Sequence, residues 1–442
     1  MTSPVDYKLS ATRIFLEAVA AVHPYSLITQ SIRLTETHLT VGDQLLEIAE
    51  IGHIYVIGAG KATAAMAKAV EDVLGNRIAG GVIVVKYGHT MPLKYISIIE
   101  AAHPIPDQNG VEGTKRMLQL LATISPRDLV IALFSGGGSA LLTDMPPGCT
   151  LEDMQLCFDL LLRSGASIKE INTIRKHLSA VKGGQLAKAV YPARLVSLLL
   201  SDVIGDPVDV IASGPTVADP STFADAWQVI EKYNLQQHIS TNITLHLQRG
   251  LEKQIPDTPK PADPLFLQMN TKVIGSNAIA LQAAGKTAES MGFTTKIGRA
   301  DIQGDAPQAA YALVEEARTI AADITIPKPV CLLTGGETTV VVTGNGKGGR
   351  NQHFALCAAL QLAPGEKIVI LSAGTDGTDG PTDAAGAVVD GFTVSNAAQM
   401  DLAAADYVSR HDSYDFFRQA GGHITTGPTM TNVMDIMLAI IY

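Results

Sequence analysis

Charge is scarce in this sequence. Lys, Arg, Asp and Glu make up 17% of its 442 residues, against roughly a quarter in an ordinary soluble domain. Bases are the scarcer sign: 33 Lys and Arg stand against 43 Asp and Glu, a formal net charge of −10. A nucleic-acid face needs a basic stripe, and nothing here supplies one. Cysteine is also sparse. Cys149, Cys157, Cys331 and Cys357 show no CxxC spacing, which argues for reduced thiols of a cytoplasmic protein and makes zinc the lesser reading. Long apolar runs are missing too. Leu195 to Leu200 and Ile436 to Tyr442 are far too short to span a bilayer. Ser10 to Val22 is apolar on one side only, with Arg13 and Glu17 interrupting any secretory h-region.

What the chain has is apolar residues, 46%, and 40 glycines. With so little charge, that composition suits a compact α/β protein with buried parallel strands. The length exceeds one ordinary core, so two domains are expected. In the first half, strands and helices alternate: His53–Ile57, Lys61–Leu74, Val82–Val85, Tyr95–Ile99, Gly113–Ile124 and Leu129–Phe134. Ser167 with Glu170 reads as a capping box that opens one long helix, Ser167–Val190, before the strand Leu195–Leu200. The alternation predicts a Rossmann-like parallel sheet with helices on both faces. Pro256, Pro259, Pro261 and Pro264 break the rhythm. This places an N-terminal domain over 1–245, a Pro-rich junction over 246–270 and a second α/β domain over 271–442. In that second domain Val330–Leu333 and Thr338–Val342 suggest a hairpin turning at Gly335-Gly336 within a mixed sheet.

Six glycine-rich turns follow apolar runs, and most carry a charged or hydroxyl residue. Gly58-Ala59-Gly60-Lys61 follows a strand and opens a helix, where backbone amides receive anions. It is neither a Walker A loop nor a good dinucleotide fingerprint, since Thr63 occupies the third glycine position. Ser135-Gly136-Gly137-Gly138-Ser139 reads as an anion nest with hydroxyls at both ends, and it lacks the glycine spacing of a nucleophile elbow. Arg175 and Lys182, seven residues apart, would share one face of the long helix. Asp202 and Asp206 flank the turn after Leu195–Leu200, and Asp376, Asp379 and Asp383 form a second acidic group. Carboxylates so placed move protons or hold Mg²⁺, or simply close turns. Lys347, Gly349, Arg350 and Asn351 lie in a glycine turn leading into a helix. A cation at a helix start is unfavourable unless an anion sits there. His89, His103 and His177 each read as isolated core or surface residues.

Taken together, these motifs resemble the class II glycerate 2-kinase family. The resemblance runs through Gly58-Ala59-Gly60-Lys61-Ala62, Ser135 to Leu142, Arg175-Lys176-His177-Leu178-Ser179, Lys182-Gly183-Gly184, Ser201 to Asp206, Gly335-Gly336-Glu337, Gly348 to Gln352 and Thr375 to Gly380. It covers nearly the whole chain in order and spacing. One departure is Met430, where the family more usually has glycine. The resemblance implies two α/β domains, the second of MOFRL type, with the active site in the interdomain cleft. It implies transfer of the γ-phosphoryl of ATP to the 2-hydroxyl of D-glycerate with Mg²⁺. Lys61, Asp202 and Arg350 match the family's catalytic positions. On this reading Asp202 or Asp206 orients or deprotonates the hydroxyl, and Asp376 or Asp379 holds Mg²⁺. Gly58, Gly60, the Ser135–Ser139 loop, Arg175, Lys347, Gly349 and Asn351 contact substrate or phosphate. Small molecules are the expected partners, with neither nucleic acid nor membrane; a homo-oligomer stays open. Two alternatives are an NAD(P)H-dependent hydroxypyruvate reductase, a label often given to family members, and a non-enzymatic two-lobed ligand sensor.

Overall fold

The computed structural model describes residues 6–442. The chain forms two compact units. One comprises Pro24–Ser201 with Asp206–Ile274; the other takes the N-terminal stretch to His23, Asp202–Gly205 and Gly275–Tyr442.

The first unit is built on a six-stranded sheet in the order Ser97–Ala101, Ile78–Lys86, Ile54–Ala59, Leu129–Phe134, Arg194–Leu200, Met269–Gly275. The pairings among the first five strands are all parallel. Leu129–Phe134 is buried at every position. An unbroken apolar run of this kind is what a parallel strand covered on both faces requires. The chain order reverses between Ile54–Ala59 and Leu129–Phe134: the strand that follows the first lies on one side of it, and later strands lie on the other. In open α/β sheets, the carboxyl ends of the strands at such a reversal form the usual ligand crevice. The turns there are Gly60-Lys61 and Ser135–Ser139. A small antiparallel sheet, Ile32–Leu34, His38–Val41 and Gln44–Glu47, completes the strands of this unit.

The long helix expected over Ser167–Val190 is instead two helices, Ile168–His177 and Gln185–Val190. The capping box is present, with the Glu170 amide donating to Ser167 Oγ and the Ser167 amide donating to Glu170 Oε2. The break runs from Leu178 to Gly184 and closes on Gly183 and Gly184, both left-handed, whose amides donate to the Ser213 and Gly214 carbonyls. Lys182 therefore does not share a helix face with Arg175.

The second unit has a seven-stranded mixed sheet. Its path runs Thr294–Ile297, Val330–Thr339, Asp435–Ile441, Ile368–Gly374, Gly386–Asp390, His423–Ile424, and Ile302–Asp305 also pairs with Val330–Thr339. The expected hairpin at Gly335-Gly336 does not form: Val330–Thr339 is one continuous strand. Gly335 is there because Asn277 packs on its α-carbon, where a Cβ would sit 1.9 Å from Asn277 Oδ1. The hairpin's expected partner role goes to the C-terminal strand Asp435–Ile441, which is fully buried and antiparallel to both of its neighbours. The helix Arg350–Gln361 packs on this sheet with Phe354, Leu356 and Ala358 buried.

Candidate active site

In the first unit the two turns at the sheet reversal are pressed together. The Lys61 amide donates to the Gly136 carbonyl at 2.9 Å, and the Ser135 amide donates to the Ala59 carbonyl at 3.2 Å. Gly60, at φ +145°, makes this approach possible, because a Cβ there would lie 2.1 Å from Ser135 Oγ. Ser135 itself is buried. Its Oγ accepts from the Ala62 amide at 3.0 Å and lies 3.2 Å from Thr63 Oγ1. The Gly60 amide goes to the Val84 carbonyl. The amides expected to receive an anion at Gly58–Lys61 are therefore engaged within the protein, and this turn is a spacer for its neighbour.

The neighbour keeps the anion-binding character. Among the described residues, the amides of Gly136 and Gly137 donate to no acceptor, and Gly137 is left-handed at φ +83°. Lys61 lies over this turn, its Cε 3.3 Å from where a Gly137 Cβ would be, and His103 Nε2 is 3.0 Å from the same point. Burial together with the charges of Lys61 and Lys86, and proximity to His89, lowers the His103 pKa to about 4, so its imidazole is neutral near pH 7. His89 Nδ1 sits 3.1 Å from the Lys61 carbonyl. Lys61 has no ion pair among the described residues. His89 and His103 are therefore not isolated residues, as the sequence alone suggests, but neighbours of Lys61. Both follow carboxyl ends of parallel strands, and strand order, invisible in the sequence, gathers them at Lys61.

Ser139 extends the site in the other direction. Its Oγ is 2.9 Å from Ser213 Oγ, which donates to Asn172 Oδ1 at 3.1 Å; Arg175 Nη1 donates to the same oxygen at 3.3 Å. Ala212, Ser213 and Gly214 are consecutive left-handed residues, a local strain typical of functional loops. Lys176 is buried and holds this loop through Asp209 and Asp219, each 3.3 Å from its Nζ. Arg175 stacks on Phe158 at 5.0 Å, and burial lowers its pKa. Lys182 is buried, donates to the Leu142 carbonyl, and has its pKa lowered to about 8, mainly by burial, with Arg175 adding to the shift and Asp144 opposing it. Asp206 is left-handed at φ +53°, and its buried Oδ1 has no hydrogen-bond partner among the described residues.

The second unit holds the other predicted cluster. Arg350 opens the helix Arg350–Gln361 and grips Asp435 in a fork, Nε to Oδ2 at 2.6 Å and Nη2 to Oδ1 at 3.0 Å, while Nη1 lies 2.9 Å from Glu337 Oε1. The expected anion at this helix start is the protein's own. Asp379 Oδ1 accepts from the Asn351 amide at 3.0 Å, and Asp379 Oδ2 accepts from the Gln352 amide at 2.8 Å and from Gln352 Nε2 at 3.0 Å. Gly349 is required because Asp379 Cγ would lie 2.3 Å from its Cβ. Asp435 is wholly buried; desolvation raises its carboxyl to about 6, against the pull of Arg350. The same contact, with Glu337 adding its charge, holds the Arg350 proton more tightly despite burial. Desolvation also raises Asp379. With both oxygens taken by the helix, Asp379 has little left for a metal. Asp376 Oδ1 accepts from the Thr378 amide at 3.0 Å. No group of three or more His, Cys, Asp or Glu suited to a metal occurs among the described residues. Lys347 is exposed, with its Nζ 4.5 Å from the Tyr414 ring centroid. The glycines before it let the backbone lie against Arg410 and Asp412. Asn351 Oδ1 accepts from Ser372 Oγ at 2.7 Å.

Comparison with known proteins agrees with this architecture. Residues 10–248 match a domain of unknown function, DUF4147, and residues 330–435 match the MOFRL family. A glycerate 2-kinase of Pyrococcus horikoshii is 40% identical over 99% of this chain and 98% of its own length. A D-glycerate 2-kinase of Thermotoga maritima is 39% identical, covering 100% of both chains. A protein of Agrobacterium vitis carrying a provisional hydroxypyruvate reductase name is 39% identical over 88% of this chain and 87% of its own. The crystal structure of a Thermotoga maritima glycerate kinase superposes with a TM-score of 0.88 at 38% identity, covering 99% of each chain. No helix among the described residues is long and apolar enough to cross a membrane. A sheet reversal bearing an open amide nest, an arginine forked onto a buried aspartate, and full-length likeness to these kinases together place the chain in the class II glycerate 2-kinase family.

Proposed function

We propose that this protein transfers the γ-phosphoryl group of ATP to the 2-hydroxyl of D-glycerate, giving 2-phosphoglycerate and ADP. One observation carries the reading beyond family membership. The open amides of Gly136 and Gly137 sit beside Lys61, a cation with no carboxylate partner among the described residues, at the sheet reversal. Such a corner suits a multiply charged oxyanion. Phosphoryl transfer asks the protein mainly for positioning and charge neutralisation. In this account Lys61 and the Gly136–Gly137 amides stabilise charge on the transferring group, and neutral His103 adds a hydrogen bond without a competing charge. The family resemblance gives a catalytic role to Arg350 as well, aimed within its own unit by Asp435 and Glu337. Asp202 takes the hydroxyl proton.

Mg²⁺ fits best at Asp206. Its buried, unpartnered Oδ1 is an oxygen in want of a donor or a cation, and Mg²⁺ in kinases typically needs only one or two carboxylates beside the nucleotide phosphates. There the ion would neutralise charge across the β- and γ-phosphates. Asp376 is the second choice for it, and Asp379 serves instead as the helix cap.

The reductase reading meets an obstacle in the same geometry. A dinucleotide pyrophosphate needs free amides at the first βα turn, and those of Gly60, Lys61 and Ala62 are already engaged. Two assays on one preparation separate the readings. ADP release that depends on D-glycerate supports the kinase. Oxidation of NAD(P)H at 340 nm by hydroxypyruvate, with no glycerate-dependent ADP release, would overturn it, and absence of either activity would favour a ligand sensor.

A further inference from the structure

Beside the triple-glycine turn, within the first unit, lies a cavity of about 510 Å³. Its lining combines a polar end, where Ser139, Arg175 and Lys182 lie near one another, with an apolar wall of Ile105, Pro106, Leu156, Phe158 and Leu162, of which Phe158 stacks on Arg175.

The lining holds two cations, Arg175 and Lys182, and three carboxylates, Asp144, Glu152 and Asp159. Asp144 accepts from Ser179 Oγ and the Ala180 amide, Asp159 pairs with Arg163, and Glu152 is exposed. Arg175 forms no ion pair among the described residues; its contacts are Asn172 Oδ1 and the Phe158 ring. Lys182, 6% exposed, donates among the described residues only to the Leu142 carbonyl, with the Asp144 charge nearby. Removing two cations from water without a paired anion for each costs several kcal/mol per ion. A planar guanidinium with open donor positions is the usual receptor for a carboxylate. The wall is the opposite: Ile105, Leu156 and Leu162 are apolar and 66%, 46% and 63% exposed, surface that a ligand's hydrocarbon would cover. The volume lies within the range of pockets for much larger ligands than a three-carbon acid.

We propose that this cavity is the acceptor pocket and that it takes 2-hydroxy acids with an apolar substituent beyond C3, the carboxylate on Arg175 and Lys182 and the substituent along Ile105, Leu156 and Leu162. Ser139, at the polar end, belongs to the same turn as the Gly136–Gly137 amides, so an acid held this way presents the hydroxyl next to its carboxylate toward the Lys61 corner. The assignment of the pocket as an acceptor site rests on the kinase reading; the assignment of its ligand class does not.

The test uses D-glycerate and D-2-hydroxy-4-methylpentanoate with the full-length protein. Calorimetry is expected to show that the longer acid binds, and kinetics that it competes with D-glycerate for phosphorylation. Arg175→Gln should weaken binding of both acids at least about tenfold. Leu162→Asp, at an exposed wall position that folding tolerates, should weaken the longer acid about tenfold and D-glycerate by a smaller factor. Failure of the longer acid to bind, undiminished binding in either variant, or its displacement by ADP alone would overturn the pocket assignment while glycerate phosphorylation stood. Binding of both acids, lost in Arg175→Gln, with no ATP-dependent turnover, would keep the pocket and its ligand class and remove the kinase reading.

Discussion

Lys61 and Arg350 were singled out for the same property, a cation at a glycine turn, and the structure gives them different surroundings. Lys61 is a cation without an ion-pair partner among the described residues, beside open amides. Lys61→Ala should leave the fold intact and lower kcat on the order of 10² or more, as loss of one preorganised donor does elsewhere. Turnover near wild type in a folded variant would return Lys61 to the surface lysines. Arg350 is paired with a carboxylate that is 0% exposed. In Arg350→Lys the fork onto Asp435 is lost: lysine cannot hold both oxygens, and an imperfectly paired buried carboxylate costs up to several kcal/mol. Arg350→Lys should therefore lower both kcat and the thermal midpoint; an unchanged midpoint would mean Asp435 finds compensation elsewhere. Asp435 also sets a pH dependence. Its carboxyl is raised from 3.8 to about 6, so the folded protein binds its proton more tightly than the unfolded chain does. That contribution to stability is fully present below about 3.8 and is lost as pH rises through about 6. The ionised form is the one that grips Arg350. The rate should accordingly fall below pH 6, and Asp435→Asn should remove that inflection from whatever activity it retains. A limb that persisted in the variant would belong to another group.

At the scale of elements, the helix Arg350–Gln361 depends on an aspartate 29 residues beyond its start rather than on its own cap: Asp379 takes the amides of Asn351 and Gln352. Asp379→Ala should cost about 1–2 kcal/mol, the upper range for loss of a cap, read as a shift in the denaturant midpoint, and should leave the Mg²⁺ concentration needed for half-maximal rate unchanged. A large rise in that Mg²⁺ requirement, with little loss of stability, would make Asp379 a metal ligand. The glycine turns show what could be read and what could not. Their positions after strands were legible, because apolar runs followed by glycine mark strand ends. Their purposes were not. Gly60 makes room for Ser135, Gly344 for the Arg410 carbonyl and Gly349 for Asp379, whereas Gly136 and Gly137 keep their amides open. A glycine that admits a neighbour and a glycine that cradles an anion look the same until the distant neighbour is known. The same limit explains the false hairpin at Gly335-Gly336, where the neighbour is Asn277, and the overlong helix, which stops at His177 ahead of Gly183 and Gly184, whose amides go to Ser213 and Gly214.

For the whole molecule, the alternation of apolar strands and amphipathic helices was enough to indicate a parallel sheet in the first half and a mixed one in the second. Strand order was not legible, and it decides the site. It puts Lys86, His89 and His103 around Lys61, and it puts the last strand of the chain, carrying Asp435, between Val330–Thr339 and Ile368–Gly374, where its carboxylate meets Arg350. Neither grouping has a local signature. The central claim is that this arrangement phosphorylates the 2-hydroxyl of D-glycerate. ³¹P NMR of the product formed from ATP, Mg²⁺ and D-glycerate tests it most directly, because the phosphorus couples to one proton when the ester is at C2 and to two when it is at C3. The account predicts a doublet from 2-phosphoglycerate alongside ADP; a triplet from 3-phosphoglycerate, or no phosphorylated glycerate at all, would contradict it.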